Sequence, residues 1–270
     1  MAMVQRGDNF GELVSIMQRL LQPDGCPWDR EQTFETLKPF LIEESYEVLE
    51  AIEANDVPEH CEELGDLLFQ IVFQAELRAR EGSFGINDVV SAIARKMIRR
   101  HPHVFADATV KDSTEVLANW GKLKADEHKE KGKVRRTLDG VPTALPALLR
   151  AQRIGEKAAA VGFDWPDVKG VRDKVTEELA ELDEAMVGGK KEEITHELGD
   201  LLFALSRLAA KLDIVPEDAL RSALGRFQGR FEAMEDIVIT EGKQIKGQSL
   251  AELDALWNRV KQAQAGMPKK

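Results

Sequence analysis

The sequence predicts an all-α protein built from two copies of one helical unit. Three observations carry that prediction. Apolar residues recur at helical spacing: between 61 and 80, Leu64, Leu67, Leu68, Ile71, Val72 and Ala75 follow the i, i+3, i+4, i+7 rule. Strand signals are scarce, with one tyrosine in 270 residues and almost no alternating β-branched runs. Finally, the heptapeptide ELGDLLF is spelled twice, at 63–69 and again at 197–203, 134 positions apart.

Composition narrows the function classes. A net charge of −11 argues against general affinity for nucleic acid or anionic membrane. No stretch approaches the ~18–20 unbroken apolar residues of a membrane span. The opening MAMVQRGDNFGE lacks the basic-then-apolar order of a secretory signal. Cys26 and Cys61 fit no metal spacing and make no disulfide framework. The expected location is the cytoplasm, with neither nucleic acid nor membrane as a partner. The chain has no GxGxxG, GxxxxGK[ST] or GxSxG, so Rossmann, P-loop and serine-hydrolase chemistries have no support.

The elements follow in order. PWD at 27–29 reads as a helix-start turn covering the core, as does DWP at 164–166. Residues 38–54 carry helical periodicity. NDVPEH then supplies a proline and turn formers, so the helix ends near Asn55, the next starts near Glu59, and the two fold back as a hairpin. A further helix covers 86–100, and Pro102 in RRHPHVF ends it. His101 and His103 are expected to cap or pack. TLDGVPTALP at 137–146 reads as a linker between domains at 1–136 and 147–270.

Both halves repeat the same landmarks in the same order. EESYE (43–47) answers to EELAE (177–181), and ELGD (63–66) to ELGD (197–200). Lys96 and Arg100 answer to Arg226 and Arg230, and WGKLK (120–124) to WNRVK (257–261). An old duplication accounts for four landmarks in one order.

The acidic landmarks point to a metal. Glu44 and Glu47 share a helix face, as do Glu63 and Asp66. With a rise of ~1.5 Å per residue and packed axes ~8–10 Å apart, a hairpin brings both pairs to one level. Glu178, Glu181, Glu197 and Asp200 repeat this, with Gly188 and Gly189 in the turn. Converging carboxylates away from water are costly unless a cation joins them. An all-oxygen donor set, with no histidine in either motif, suits Mg²⁺ or Mn²⁺ rather than zinc. Gly65 and Gly199 each cost about 1 kcal/mol against alanine in mid-helix. They are expected where another helix or a ligand comes close to a metal-binding aspartate.

Basic and aromatic residues complete the pattern. Lys96 and Arg100 are i, i+4, as are Arg226 and Arg230, and each pair can grip phosphate. Trp120 with Lys124, and Trp257 with Lys261, set a ring one turn from a cation. Taken singly, these are equally well solvated faces and core tryptophans. Taken together, they describe a site for a metal-bound polyphosphate with a ring for a sugar or base.

GCPWDREQTFETLKPFLIEESYEVLEAI, ELGDLLFQIVF, RKMIRRHPHVF and the second EExxE…ExxD set resemble the two-domain MazG family of bacterial nucleoside triphosphate pyrophosphohydrolases, from about residue 9 to 262. The resemblance implies an all-α chain of two tandem MazG-like domains, with four-helix cores completed by homodimerisation. It implies Mg²⁺-dependent hydrolysis of NTPs or dNTPs to the monophosphate and pyrophosphate, with Mn²⁺ as a possible substitute, in nucleotide-pool house-cleaning. The eight carboxylates named above become metal ligands, and Glu43, Glu44, Glu177 and Glu178 the catalytic candidates. Arg226, Arg230, Trp257 and Lys261 fall where the family contacts nucleotide in its C-terminal domain; Lys96, Arg100, Trp120 and Lys124 are their first-half counterparts. The chain departs from the family at Arg207, commonly Asn, and at Leu224-Gly225-Arg226, commonly Asn-x-Lys. The alternative is a helical dimer that senses nucleotides or docks on a protein and hydrolyses little or nothing.

Overall fold

The computed structural model describes residues 9–113, 115–116, 119–121, 123 and 136–265; Lys124 lies outside them. The chain divides into two compact units, Met1–Lys131 and Gly132–Lys270. No strand occurs among the described residues, and residues 137–146 hold no helix.

The first unit contains α1 (Phe10–Leu20), α2 (Pro27–Glu31), α3 (Phe34–Ala54), α4 (Val57–Arg80), α5 (Ile86–Arg100) and α6 (Pro102–Phe105). Its frame is the expected hairpin of α3 and α4. Asn55 ends α3 in the left-handed region at φ 53°, and Asp56 starts α4 by accepting from the Glu59 amide at 3.2 Å. Thr33 and Thr36 cap the start of α3 reciprocally. α1 lies against α4, and together with α3 they form an apolar core of Met17, Leu21, Leu37, Val72 and Phe73. Arg80 fastens α4 to α1 by donating to the Leu21 carbonyl at 2.7 Å. α5 packs on α4 yet buries no residue of its own.

The ends of these helices largely match expectation. Pro102 starts the short α6, and His101 joins it to α5 with Nδ1 2.6 Å from the Met97 carbonyl oxygen. The Trp120 ring meets His101 edge-on at 5.1 Å, so this histidine packs as expected. Trp28 is a partial correction. It touches Phe40 edge-on at 5.8 Å but remains 52% exposed, while its neighbour Asp29 is buried.

The second unit contains α7 (Ala147–Ala159), α8 (Val168–Gly188), α9 (Lys191–Lys211), α10 (Pro216–Thr240) and α11 (Leu250–Ala265). α8 and α9 form the second hairpin, turned through Gly189 at φ 71°, a conformation glycine adopts without strain. α9 also packs on α7, and α10 on α7 and α11. Trp165 lies over the start of α8, so close to Gly170 that a Cβ there would sit 2.9 Å from its Cδ1.

The two copies keep the hairpin and change the core. Arg207 stands in register with Phe73, and Ser206 with Val72. Arg207 is buried, its Nη2 donates to Asp164 Oδ1 at 2.9 Å, and Lys211 Nζ reaches Asp164 Oδ2 at 2.7 Å. Burial pushes the Asp164 carboxyl up, but the hydrogen bonds from Lys211 and Arg207 outweigh it and hold it below its ordinary value. The guanidinium fits only because Gly155 has no side chain; a Cβ there would collide with Nη1 and Cδ of Arg207.

Candidate metal centre and active site

Each hairpin gathers acidic side chains between its arms. In the first unit, Glu44 and Glu47 come from α3 and Glu63 from α4, with one carboxylate oxygen of each within 4.8 Å of the others. Asp66 stands close enough to raise both Glu44 and Glu63 electrostatically. Burial is the first cause of the upward shift of Glu44, followed by the negative charges of Asp66 and Glu47. For Glu63 burial again leads, followed by Glu47, Glu59, Asp66 and Glu44. Gln70, one turn beyond Asp66, is buried and points its amide Nε2 at Glu44 Oε1, 3.5 Å away.

The second unit repeats the gathering with Glu178 and Glu181 from α8 and Glu197 from α9, again within 4.8 Å. Burial raises Glu181, and the Glu178 charge adds to it. Here the acids have cationic company. Lys174 Nζ lies 2.7 Å from Glu177 Oε1 and 2.8 Å from Glu178 Oε1, and those hydrogen bonds hold its pKa above the ordinary lysine value. His196 Nδ1 lies 3.3 Å from Glu197 Oε1 and 3.2 Å from Asp200 Oδ2, and these three side chains are close enough together to hold an ion. A histidine nitrogen thus stands beside the oxygens expected from the motifs in the second unit. His196 stands just outside ELGD, and one helical turn carries it onto the Asp200 face.

Other expected residues are dispersed. Glu43 lies on the exposed side of α3, and Glu177 is held by Lys174. Arg230 is drawn to the aromatic cluster: its guanidinium lies 5.7 Å from the Trp257 ring centroid, and its Nε donates to Gln264 Oε1 at 3.1 Å. Phe227 packs on Trp257 at 5.1 Å. Arg226 turns to Ser222 Oγ at 2.6 Å, and Lys261 is exposed on α11. In the first unit the Trp120 indole donates to the Arg100 carbonyl at 2.8 Å. Among the described residues, no ion pair joins Lys96, Arg226, Arg230 or Lys261 to either acidic set.

Gly65 and Gly199 are exposed. Apart from the backbone of its own helix, no atom of the described residues lies within 4 Å of a Cβ built on either, which leaves room there for a ligand or for a helix of another chain. Both face outward from their hairpins.

Three residues that shape the sites escape the motif reading: Gln70, Lys174 and His196. The signal that finds them is the 134-residue register itself. It pairs Phe40 with Lys174, Glu62 with His196 and Gln70 with Ala204, and so marks where the copies diverge around a shared acidic frame.

Tandem all-α units, each gathering carboxylates between the arms of a helix hairpin, define the class of all-α nucleotide pyrophosphohydrolases. Similarity to known proteins falls in the same place. Residues 32–105 match the family model of the MazG nucleotide pyrophosphohydrolase domain, and residues 152–225 that of phosphoribosyl-ATP pyrophosphohydrolase. The chain is 46% identical over 259 residues to the nucleoside triphosphate pyrophosphohydrolase of Escherichia coli strain K12, spanning 94% of this chain and 97% of that protein. It is 44% identical over 260 residues to the nucleoside triphosphate pyrophosphohydrolase/pyrophosphatase MazG of Thermotoga maritima, spanning 96% and 98%. An uncharacterized protein of Bacillus subtilis, YabN, shares 42% identity over 256 residues, which make up 52% of its own length. The chain belongs to the MazG family of nucleotide pyrophosphohydrolases.

Proposed function

We infer that the protein is a metal-dependent nucleoside triphosphate pyrophosphohydrolase, acting in the cytoplasm with Mg²⁺ as its ion and Mn²⁺ as a substitute. The observation that carries the reading is the convergence of carboxylate oxygens from both hairpin arms within 4.8 Å, found in both units. The donor set fits: hard oxygen ligands in number suit Mg²⁺ or Mn²⁺. In the first unit Glu44, Glu47, Glu63 and Asp66 hold the ion; in the second, Glu178, Glu181, Glu197 and Asp200. When bound, the ion supplies charge neutralisation at the phosphoryl oxygens and a lowered pKa for water.

The chain's own residues do the rest. Arg226, Arg230 and Lys261, and Lys96, Arg100 and Lys124 in the first half, neutralise the β- and γ-phosphates. Trp257 and Trp120 offer rings to the sugar or base. Glu177 and Glu43 are acceptors for the proton of the water that attacks the α-phosphorus, with pyrophosphate leaving. Likeness along nearly the whole chain to proteins named as hydrolases favours this over a sensing module.

The active form we propose is a homodimer, with residues 137–146 linking its two domains. Single hairpins leave large apolar side chains outside: Ile52 is 52% exposed, Leu64 47%, Met186 59% and Leu198 46%. Apolar area on that scale is removed from water by packing hairpin on hairpin, which also accounts for the open faces of Gly65 and Gly199.

The test is pyrophosphate release from a panel of NTPs and dNTPs with Mg²⁺ or Mn²⁺, for the whole chain and for Glu63→Gln and Glu197→Gln. One monophosphate per pyrophosphate is expected, with loss in at least one variant. Release of orthophosphate alone, or full turnover with both carboxylates replaced, overturns the reading.

A further inference from the structure

The second unit has no counterpart of Gln70, and its buried Ala204 is what an ordinary core position looks like. Gln70 is only 6% exposed, yet it carries a primary amide. Its Oε1 finds no hydrogen-bond partner. Its Nε2 has one, Glu44 Oε1 at 3.5 Å, across the hairpin from α4 to α3. A buried amide half unsatisfied costs free energy that an apolar side chain would not. The compensating interaction is with Glu44, the carboxylate that stands among Glu47, Glu63 and Asp66 with no cation ion-paired to it among the described residues.

The second unit solves the same problem differently. Glu178, in register with Glu44, is held by Lys174 at 2.8 Å. There a lysine on the same helix restrains the glutamate; in the first unit a neutral amide on the opposite arm does so. An amide restrains the carboxylate without neutralising it, leaving its full charge for a cation.

We propose that Gln70 is a positioning residue of the first unit, fixing Glu44 for the divalent cation by a hydrogen bond across the hairpin. This rests on the metal-cage reading above. Partners that orient metal ligands contribute about 10–100-fold to metal affinity. Gln70→Met keeps the length and removes the amide.

The experiment is Mn²⁺ binding to the full chain, followed by the electron paramagnetic resonance of free Mn²⁺, in a Glu197→Gln background that silences the second cage. Gln70→Met is expected to weaken binding about tenfold or more, with the metal-free melting temperature no lower than that of the unsubstituted chain. In a Glu63→Gln background, which silences the first cage, the same substitution is expected to leave binding untouched. Unchanged affinity in the first background overturns the inference. If Gln70→Met fails to fold, Gln70→Asn retracts the amide by one methylene and is read the same way. Failure of both to fold makes Gln70 a structural residue and overturns it too. No saturable Mn²⁺ binding by the unsubstituted chain overturns the cage itself, and the inference with it.

Discussion

Lys174 Nζ stands 2.8 Å from Glu178 Oε1, on the helix face where the first unit sets Phe40 beside its own acids. Among the described residues, the acidic set of the second unit thus has a lysine ion-paired to it and that of the first has none.

Replacing that lysine by methionine leaves Glu177 and Glu178 with an uncompensated charge. Divalent cations are then expected to bind the second unit several-fold more tightly, because they no longer compete with an ammonium for the same oxygens. Mn²⁺ titration of Lys174→Met in a Glu63→Gln background measures this; weaker binding would show that the lysine supports the cage rather than competing with it.

Glu44 gives a pH signature. Its carboxyl is raised above the ordinary 4.5 by burial and by its acidic neighbours. Between 4.5 and the raised value the folded protein holds a proton that the unfolded chain has released, so this group's contribution to stability falls as pH rises through that window. In EDTA, Glu44→Gln is therefore expected to melt above the unsubstituted chain at neutral pH, with the gain vanishing below 4.5. Saturating Mn²⁺ at neutral pH reverses the order, since the variant has lost a ligand. Thermal melts across pH, with and without the ion, check both halves of this expectation.

Gly155 and Arg207 are coupled by space. Gly155→Ala forces a methyl into a buried guanidinium that Asp164 holds from the other side, and overpacking of this kind costs about 1–3 kcal/mol. Arg207→Ala leaves Asp164 with Lys211 alone and costs about 3 kcal/mol. The double substitution is expected to cost little more than Arg207→Ala by itself, a coupling that denaturant unfolding of the four proteins reads directly. Strict additivity would mean that the two do not share one space.

Arg230, poised beside Trp257, is a predicted phosphate contact. Losing one charge-assisted hydrogen bond is worth about 1.5–3 kcal/mol, so Arg230→Ala is expected to lower kcat/KM of the second unit about ten- to hundredfold. Arg230→Lys restores little of it, because a lysine offers no planar face to Trp257. Steady-state kinetics in a Glu63→Gln background test this, and unchanged kcat/KM would remove Arg230 from the site.

Sequence by itself determined the helices, the hairpins and the acidic sets. Residue spacing at i, i+3 fixes which carboxylates share a face, and Asn55-Asp56 and Gly188-Gly189 fix where the chain turns back, so Glu44, Glu47 and Glu63 had to meet. Lys174 was also within reach of that logic, one turn before Glu178. A lysine beside glutamates on a helix is so common on solvated faces, however, that spacing alone gives it no role. Only the tertiary structure decided that Gln70 faces Glu44, that Arg207 replaces an apolar core with an ion-paired one, and that no other helix of the described residues approaches Gly65. Helical periodicity gives each residue's angle about its own axis. How far each helix is rotated toward its neighbour, and which rotamer then spans the gap, is set by packing across the pair.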